Sequence, residues 1–102
     1  MGLLVQKFGG SSLATPQKVL SAARRAIAEF EAGHQVVVVV SAQGDYTDRL
    51  ITMAEEIHPE PDPRELDTLM AVGEQMSIAL MAIAIHSLGH GAISLTGAQA
   101  GI

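Results

Sequence analysis

Five consecutive valines, Val36 to Val40, constrain the fold of this chain more than any other stretch. β-branched side chains favour strands, and an uninterrupted apolar run is typical of a central parallel strand covered on both faces. The run leads directly into residues 41–48, Ser-Ala-Gln-Gly-Asp-Tyr-Thr-Asp, which are rich in hydroxyl, carboxylate and glycine groups. The sequence therefore predicts a buried parallel strand with a polar loop at its carboxyl end.

A second strand-and-loop unit lies near the N-terminus. Residues 3–7 predict a short strand, and residues 9–12, Gly-Gly-Ser-Ser, predict a turn before a helix. Adjacent glycines let the backbone approach a ligand, and their N–H groups can point at an anion. Lys7 adds a positive charge beside the positive end of the following helix. The pattern indicates a phosphate cradle, although two glycines alone are better explained by an ordinary turn with a solvent-facing lysine.

The glycine spacing also separates this loop from two common phosphate-binding motifs. No Gly-Lys-Ser/Thr follows a glycine at the distance that a Walker A loop requires. The three-glycine spacing of a dinucleotide-binding turn is missing as well.

The remaining elements complete an alternating order of strands and helices. Helical periodicity predicts a helix over residues 15–32, a second helix ending near residue 58, and a third over residues 64–88. Residues 92–95 predict a third strand. The order β-α-β-α-α-β predicts an α/β fold whose parallel sheet has helices on both faces. Ligands bind at the carboxyl ends of such strands. The loops expected at that edge are residues 7–12, 41–48 and 96–101.

Composition excludes several classes of function. The chain has 102 residues, no cysteine, 3% aromatic residues and a formal net charge of −5 at pH 7. Without cysteine, disulfides, thiolate catalysis and thiolate metal sites are excluded. The scarcity of aromatic side chains and the acidic balance argue against nucleic-acid binding. No signal peptide and no uninterrupted apolar run of ~18 residues is present, so we expect a cytoplasmic protein that binds no membrane.

Four motifs together are similar to those of aspartate kinases. Residues 7–12 resemble the Lys-Phe-Gly-Gly-Thr-Ser opening of that family, and residues 37–48 resemble its second strand and loop. Residues 73–75, Gly-Glu-Gln, match a motif of the family, and residues 95–101 resemble the run that follows it. The motifs keep the family's order and spacing over essentially the whole chain. The sequence therefore resembles the N-terminal part of the amino-acid-kinase (carbamate-kinase-like) domain of an aspartate kinase.

The resemblance implies a kinase that transfers the γ-phosphoryl group of ATP to the β-carboxylate of L-aspartate. This reaction is the first step toward lysine, threonine and methionine. ATP would act with Mg²⁺, for which no protein ligand is assigned. The residues implied to bind the ATP phosphates are Lys7, which is also the catalytic residue, Phe8, Gly9, Gly10 and Ser11. The residues implied to bind aspartate are Ser41, Thr47 and Glu74.

Aspartate kinases are much longer than this chain and carry further nucleotide-binding and regulatory segments. We therefore expect residues 1–102 to be an incomplete kinase domain that is inactive alone. We also expect it to self-associate, or to form a homo-oligomer, through exposed apolar surface. The alternatives are another phosphotransferase of the same fold and a non-catalytic assembly module built on the half-domain.

Several assigned side chains also have a purely structural interpretation. Thr47 could be a helix cap, and Ser41 could bond the local backbone. Glu74 could be a partly exposed helix carboxylate. His86 and His90 are four residues apart, but a helix end between them is expected to separate them, so no metal site is assigned.

Three positions depart from the family pattern. Ser11 replaces the usual threonine and keeps its hydroxyl, Gln43 stands where methionine is common, and Tyr46 stands where threonine is common. These changes leave the phosphate loop intact, and Gln43 and Tyr46 fall in the loop implied to position the substrate.

Overall fold

The computed structural model describes residues 2–97, 99 and 101 of the chain. Two strands, three α-helices and one short 3-10 helix follow one another along this part of the sequence. Their bounds are β1 Leu3–Phe8, the 3-10 helix Gly10–Leu13, α1 Pro16–Glu31, β2 Gln35–Val40, α2 Tyr46–Ile57 and α3 Pro63–Ser87.

The helix ends follow from local chemistry. Thr15 caps α1, because its Oγ1 accepts a hydrogen bond from the Lys18 N–H at 3.2 Å. Asp62 caps α3 in the same way, with Oδ1 accepting from the Arg64 N–H at 2.9 Å. A proline follows each cap at the first turn, where its missing N–H costs nothing. Gly33 follows α1 with a φ of 103°, a conformation that favours glycine.

The two strands pair in parallel and in register. Leu3 lies opposite Gln35 and Phe8 lies opposite Val40, with α1 forming the connection between the strands. A hydrophobic core covers one face of this sheet. Its members are Phe8 and Leu13, Val19, Ala22 and Ala23 of α1, and Met81 and Ala84 of α3, with Val38 and Val40 packed against them. Small alanines on α1 let the helix approach the sheet closely.

The other face of the sheet remains exposed, which corrects one part of the sequence prediction. Side chains alternate along a strand, so Val37 and Val39 point away from the core, as do Leu3 and Val5. These four side chains are 43–67% exposed. The α/β class and the parallel pairing are confirmed, but the described residues place α1 and α3 on one face only.

The third strand predicted over residues 92–95 is also wrong for the described part of the chain. These residues are irregular and lie outside the sheet, which contains β1 and β2. The segment and β2 both line a cavity of about 830 Å³. A strand forms only where its backbone pairs with a neighbour, and this segment instead offers the Ala92 carbonyl to His86 Nε2 at 2.8 Å.

Among the described helices, α3 is long and apolar enough to cross a membrane by length and composition. The sequence lacks an uninterrupted run of that length because Glu74 interrupts the apolar stretch. In the structure α3 packs against α1 and α2. Its buried residues are Gly73, Ser77, Met81 and Ala84. Within the apolar window of this helix, 22% of the residues are buried inside the chain.

The exposed valines predict self-association of the chain. Val37→Thr together with Val39→Thr keeps the strand propensity but removes apolar surface, so the average mass at high concentration should fall toward that of a monomer. Light scattering measures this mass. Ile57→Thr, which changes an 86% exposed residue of α2, is the matched control and should leave the mass unchanged. A wild-type chain that is a clean monomer at high concentration would contradict the prediction.

Candidate functional site

The glycine-rich turn begins where β1 ends. Gly9 is extended, with φ −79° and ψ 173°, and the 3-10 helix starts at Gly10. Leu13, only 1% exposed, anchors the end of this helix in the core. The N–H groups at the start of a helix have no acceptor within it. The Ser12 N–H donates to the Gly9 carbonyl at 3.1 Å. Among the described residues no acceptor is found for the N–H groups of Gly10 and Ser11, which are therefore the available donors of the turn.

The second loop packs against this turn through a close backbone contact. A Cβ on Gly10 would lie 2.7 Å from the Ala42 carbonyl oxygen and 3.3 Å from the Gly44 nitrogen. The Gly44 N–H donates to the Gly10 carbonyl at 2.8 Å, and the Ser41 N–H donates to the Phe8 carbonyl at 3.3 Å. The loops after β1 and β2 are therefore joined, as the parallel order predicts.

Helix α3 reaches the same place through a second glycine. A Cβ on Gly73 would lie 3.0 Å from the Ala42 Cβ, 3.3 Å from Tyr46 Cδ1 and 3.6 Å from Thr47 Oγ1. Gly73 is buried against the second loop, and the next residue, Glu74, is exposed. Glu74 is thus one residue from a helix position that touches the second loop, and it lines the cavity that β2 also lines.

The last motif approaches Glu74 across the 830 Å³ cavity. Glu74 and Gln75 line this cavity together with Thr96 and Gly97. Thr96 and Gln99 form two reciprocal hydrogen bonds. The Thr96 N–H donates to Gln99 Oε1 at 2.9 Å, and the Gln99 N–H donates to Thr96 Oγ1 at 3.2 Å. Positions 98, 100 and 102 lie outside the described residues.

The structure separates the predicted phosphate-binding side chains. Phe8 is 6% exposed and belongs to the core, so only its backbone is left for a ligand. Lys7 is exposed and points to the opposite face of the sheet from Phe8. The ion pairs within the described part of the chain join His34 to Glu29 and Arg64 to Glu65. The Lys7 ammonium is thus in neither pair.

The alternative interpretation of Thr47 as the α2 cap does not hold. Asp45 occupies the N-cap position, where its side chain makes no capping hydrogen bond, and Thr47 is the second residue of α2. Its hydroxyl lies instead toward Gly73. Glu74 is exposed, as its structural interpretation expects, and its neighbour Gly73 packs against the second loop.

Sequence reasoning missed the residue at the centre of this arrangement. Ala42 contacts the positions of both Gly10 and Gly73, and a small residue between two glycines gives no sequence signal of its own. Gly44 differs from Ala42 in this respect, because a glycine in Gln-Gly-Asp is a recognisable turn pattern. Its φ of +49° is a conformation that favours glycine.

The described residues contain no group of three His, Asp or Glu side chains that could hold a metal ion. His86 is engaged with the Ala92 carbonyl, and the ring of His90 packs edge-on to Phe30 with 5.8 Å between centroids. No assignment of a metal ligand follows from these contacts.

Comparisons with known proteins agree along the whole chain. The model of the amino acid kinase family matches residues 2–102. Aspartokinase 2 of Bacillus subtilis is 54% identical and the aspartokinase of Geobacillus stearothermophilus 50% identical, each over 100% of this chain and 25% of the relative. The crystal structure of aspartate kinase from Synechocystis superposes with a TM-score of 0.91 and 47% identity, covering 95% of this chain and 17% of the other. The chain thus spans about a quarter of the length of the two curated relatives.

Packing at Gly10 predicts an asymmetry between the two adjacent glycines. Gly10→Ala should lower the free energy of unfolding by about 1–3 kcal/mol. Its Cβ would collide with the Ala42 carbonyl, and the second loop cannot shift without straining its hydrogen bond to Gly10. Gly9→Ala is the matched control, since a Cβ there meets nothing within 4 Å. Urea denaturation measures both. Equal stability of the two variants would show that the loops are not packed as described.

Proposed function

Because the chain belongs to the amino acid kinase family, we propose that the protein carrying it is an aspartate kinase. It would transfer the γ-phosphoryl group of ATP to the β-carboxylate of L-aspartate. The observation that carries this proposal is the packing of the glycine-rich turn and the Gly73–Glu74 step on the same second loop. One side of that loop suits a phosphate, and the other offers a carboxylate to an ammonium group.

The phosphate side uses backbone and one lysine. The N–H groups of Gly10 and Ser11, which have no acceptor among the described residues, would donate to phosphate oxygens. A side chain at position 10 would collide with the second loop. Gly9, which has open space around it, lets the ligand approach. The Lys7 ammonium, in no ion pair with a described residue, would stabilise negative charge on the transferring phosphoryl group.

The acceptor side uses three side chains around the second loop. The Glu74 carboxylate would receive the α-ammonium of aspartate, and the Ser41 and Thr47 hydroxyls would hold the substrate beside it. No general base is needed, because the acceptor carboxylate is already ionised at neutral pH. Catalysis is then positioning and charge neutralisation, as phosphoryl transfer requires.

ATP would bring Mg²⁺ to the site, where the ion would neutralise phosphate charge. Nucleotide-bound Mg²⁺ keeps several waters and takes one or two protein carboxylates beside the phosphates. The described residues contain no group of three or more acidic or histidine side chains, and their geometry singles out no carboxylate for the ion. No residue of the described chain is therefore assigned to the ion.

The share of its relatives that this chain covers supports a partial kinase domain. We infer that residues 1–102 are the N-terminal part of a kinase domain and that adenine and the aspartate α-carboxylate are held by residues outside it. The isolated chain would then be inactive. The whole protein would be cytoplasmic and homo-oligomeric, and would serve lysine, threonine and methionine biosynthesis.

The test is an aspartyl-hydroxamate assay on the protein that carries this sequence. Lys7→Ala should lower kcat by at least about 10²-fold through lost charge stabilisation. Glu74→Gln should raise KM for aspartate by about 10- to 100-fold, since it loses a charged hydrogen bond of about 1.5–3 kcal/mol. Asp67→Asn, on an exposed position of the same helix, should change neither value.

Two outcomes would contradict the proposal in different ways. A protein that phosphorylates another acceptor but not aspartate would keep its family and lose the assigned substrate. Activity of the 102-residue chain alone would show that the segment is not a partial domain.

A further inference from the structure

We propose that a second site, separate from the glycine-rich turn's phosphate cradle, binds a phosphate group between the 3-10 helix and α1. This cationic cavity has a volume of about 390 Å³. Its lining residues are Phe8, Ser11, Ser12, Lys18, Ser21, Ala22 and Arg25. The inference does not rest on the proposed kinase activity.

The distribution of charge along the sequence supports an anion here. The chain is acidic, yet four of its six Lys and Arg residues lie within the first 25 positions, and all 11 acidic residues follow residue 28. A cavity lined by one sign of charge concentrates counter-ions. The cationic cavity holds two of those four cations and no carboxylate.

The side chains of α1 converge on the cavity by helical spacing. Lys18, Ser21 and Arg25 are three and four residues apart and therefore share one face of the helix. Lys18 Nζ donates to the Ser11 carbonyl at 3.2 Å, which holds the ammonium over the 3-10 helix and leaves further N–H donors. The Arg25 guanidinium lies 5.9 Å from the centre of the Phe8 ring. Its planar fork suits two phosphate oxygens at once.

Both cations lack a carboxylate partner within the part of the chain that the structure describes. The ion pairs found there join His34 to Glu29 and Arg64 to Glu65. Ser11, Ser12 and Ser21 line the same cavity, and serine hydroxyls can donate to an anion. Two cations with three hydroxyls form the donor set that a phosphate group takes.

Strand geometry separates this cavity from Lys7. Phe8 lines the cavity and faces α1, so the preceding side chain, Lys7, points to the other face of the sheet. Ser11 belongs to both sites. Its backbone N–H is assigned to the phosphate cradle, and the residue also lines the cationic cavity. The group that binds here is inorganic phosphate or the phosphate of a phosphorylated small molecule other than ATP, since ATP is assigned to the cradle.

The test compares inorganic phosphate and ATP by calorimetry on the protein that carries this sequence, at constant ionic strength. Replacing both Lys18 and Arg25 by Met should weaken phosphate binding at least tenfold and leave ATP affinity unchanged. Arg24→Met, at the neighbouring exposed position outside the cavity, should keep wild-type phosphate affinity. Lys7→Met should keep phosphate affinity as well.

A charge-conserving variant separates loss of binding from loss of folding. Lys18→Arg with Arg25→Lys should retain phosphate binding within a few-fold. Three results would overturn the proposal: no phosphate binding to the wild type, unchanged binding to the double Met variant, or loss of phosphate binding with Lys7→Met. Equal loss of ATP and phosphate affinity in the double Met variant would overturn the separation from the cradle.

Discussion

The close backbone contact between Gly10 and Ala42 is the constraint on which the site depends. It requires that position 10 carry no side chain, since a Cβ would lie 2.7 Å from a carbonyl oxygen. Parallel pairing of β1 and β2 brings the two loops to the same edge, and the hydrogen bond from Gly44 to Gly10 holds them there. Ala42 then meets Gly73 on its other side. Two glycines and one alanine thus bring three distant segments into one place.

Basic and acidic side chains are separated along the sequence. The cations concentrate near the first strand and α1, whereas the acidic groups follow residue 28. Lys7 stands at the end of β1, and Glu74 stands where α3 meets the second loop. A phosphate would therefore be attracted to Lys7 and an ammonium group to Glu74.

Local patterns in the sequence were enough to predict most of the elements. Both strands and all three helices lie close to their predicted ranges, because periodicity and the Thr15 cap are local signals. The prediction of a strand over residues 92–95 was wrong, because a strand forms only beside a pairing strand, and the local sequence does not show whether one is present. The prediction that helices cover both faces of the sheet was wrong for the same reason. Five consecutive valines indicate that a strand can be buried, but they do not show which element covers it. Ala42 could not be found, because its importance comes from two contacts distant in sequence.

A crystal structure of the protein that carries this sequence, with L-aspartate and a non-hydrolysable ATP analogue bound, tests the central claim most directly. The account predicts phosphate oxygens within hydrogen-bond distance of the Gly10 N–H and the Lys7 ammonium. It also predicts the aspartate α-ammonium within hydrogen-bond distance of the Glu74 carboxylate. The account would be contradicted if the contact between Gly10 and Ala42 is intact but the ligands bind elsewhere, with no contact to the Lys7 ammonium or the Glu74 carboxylate.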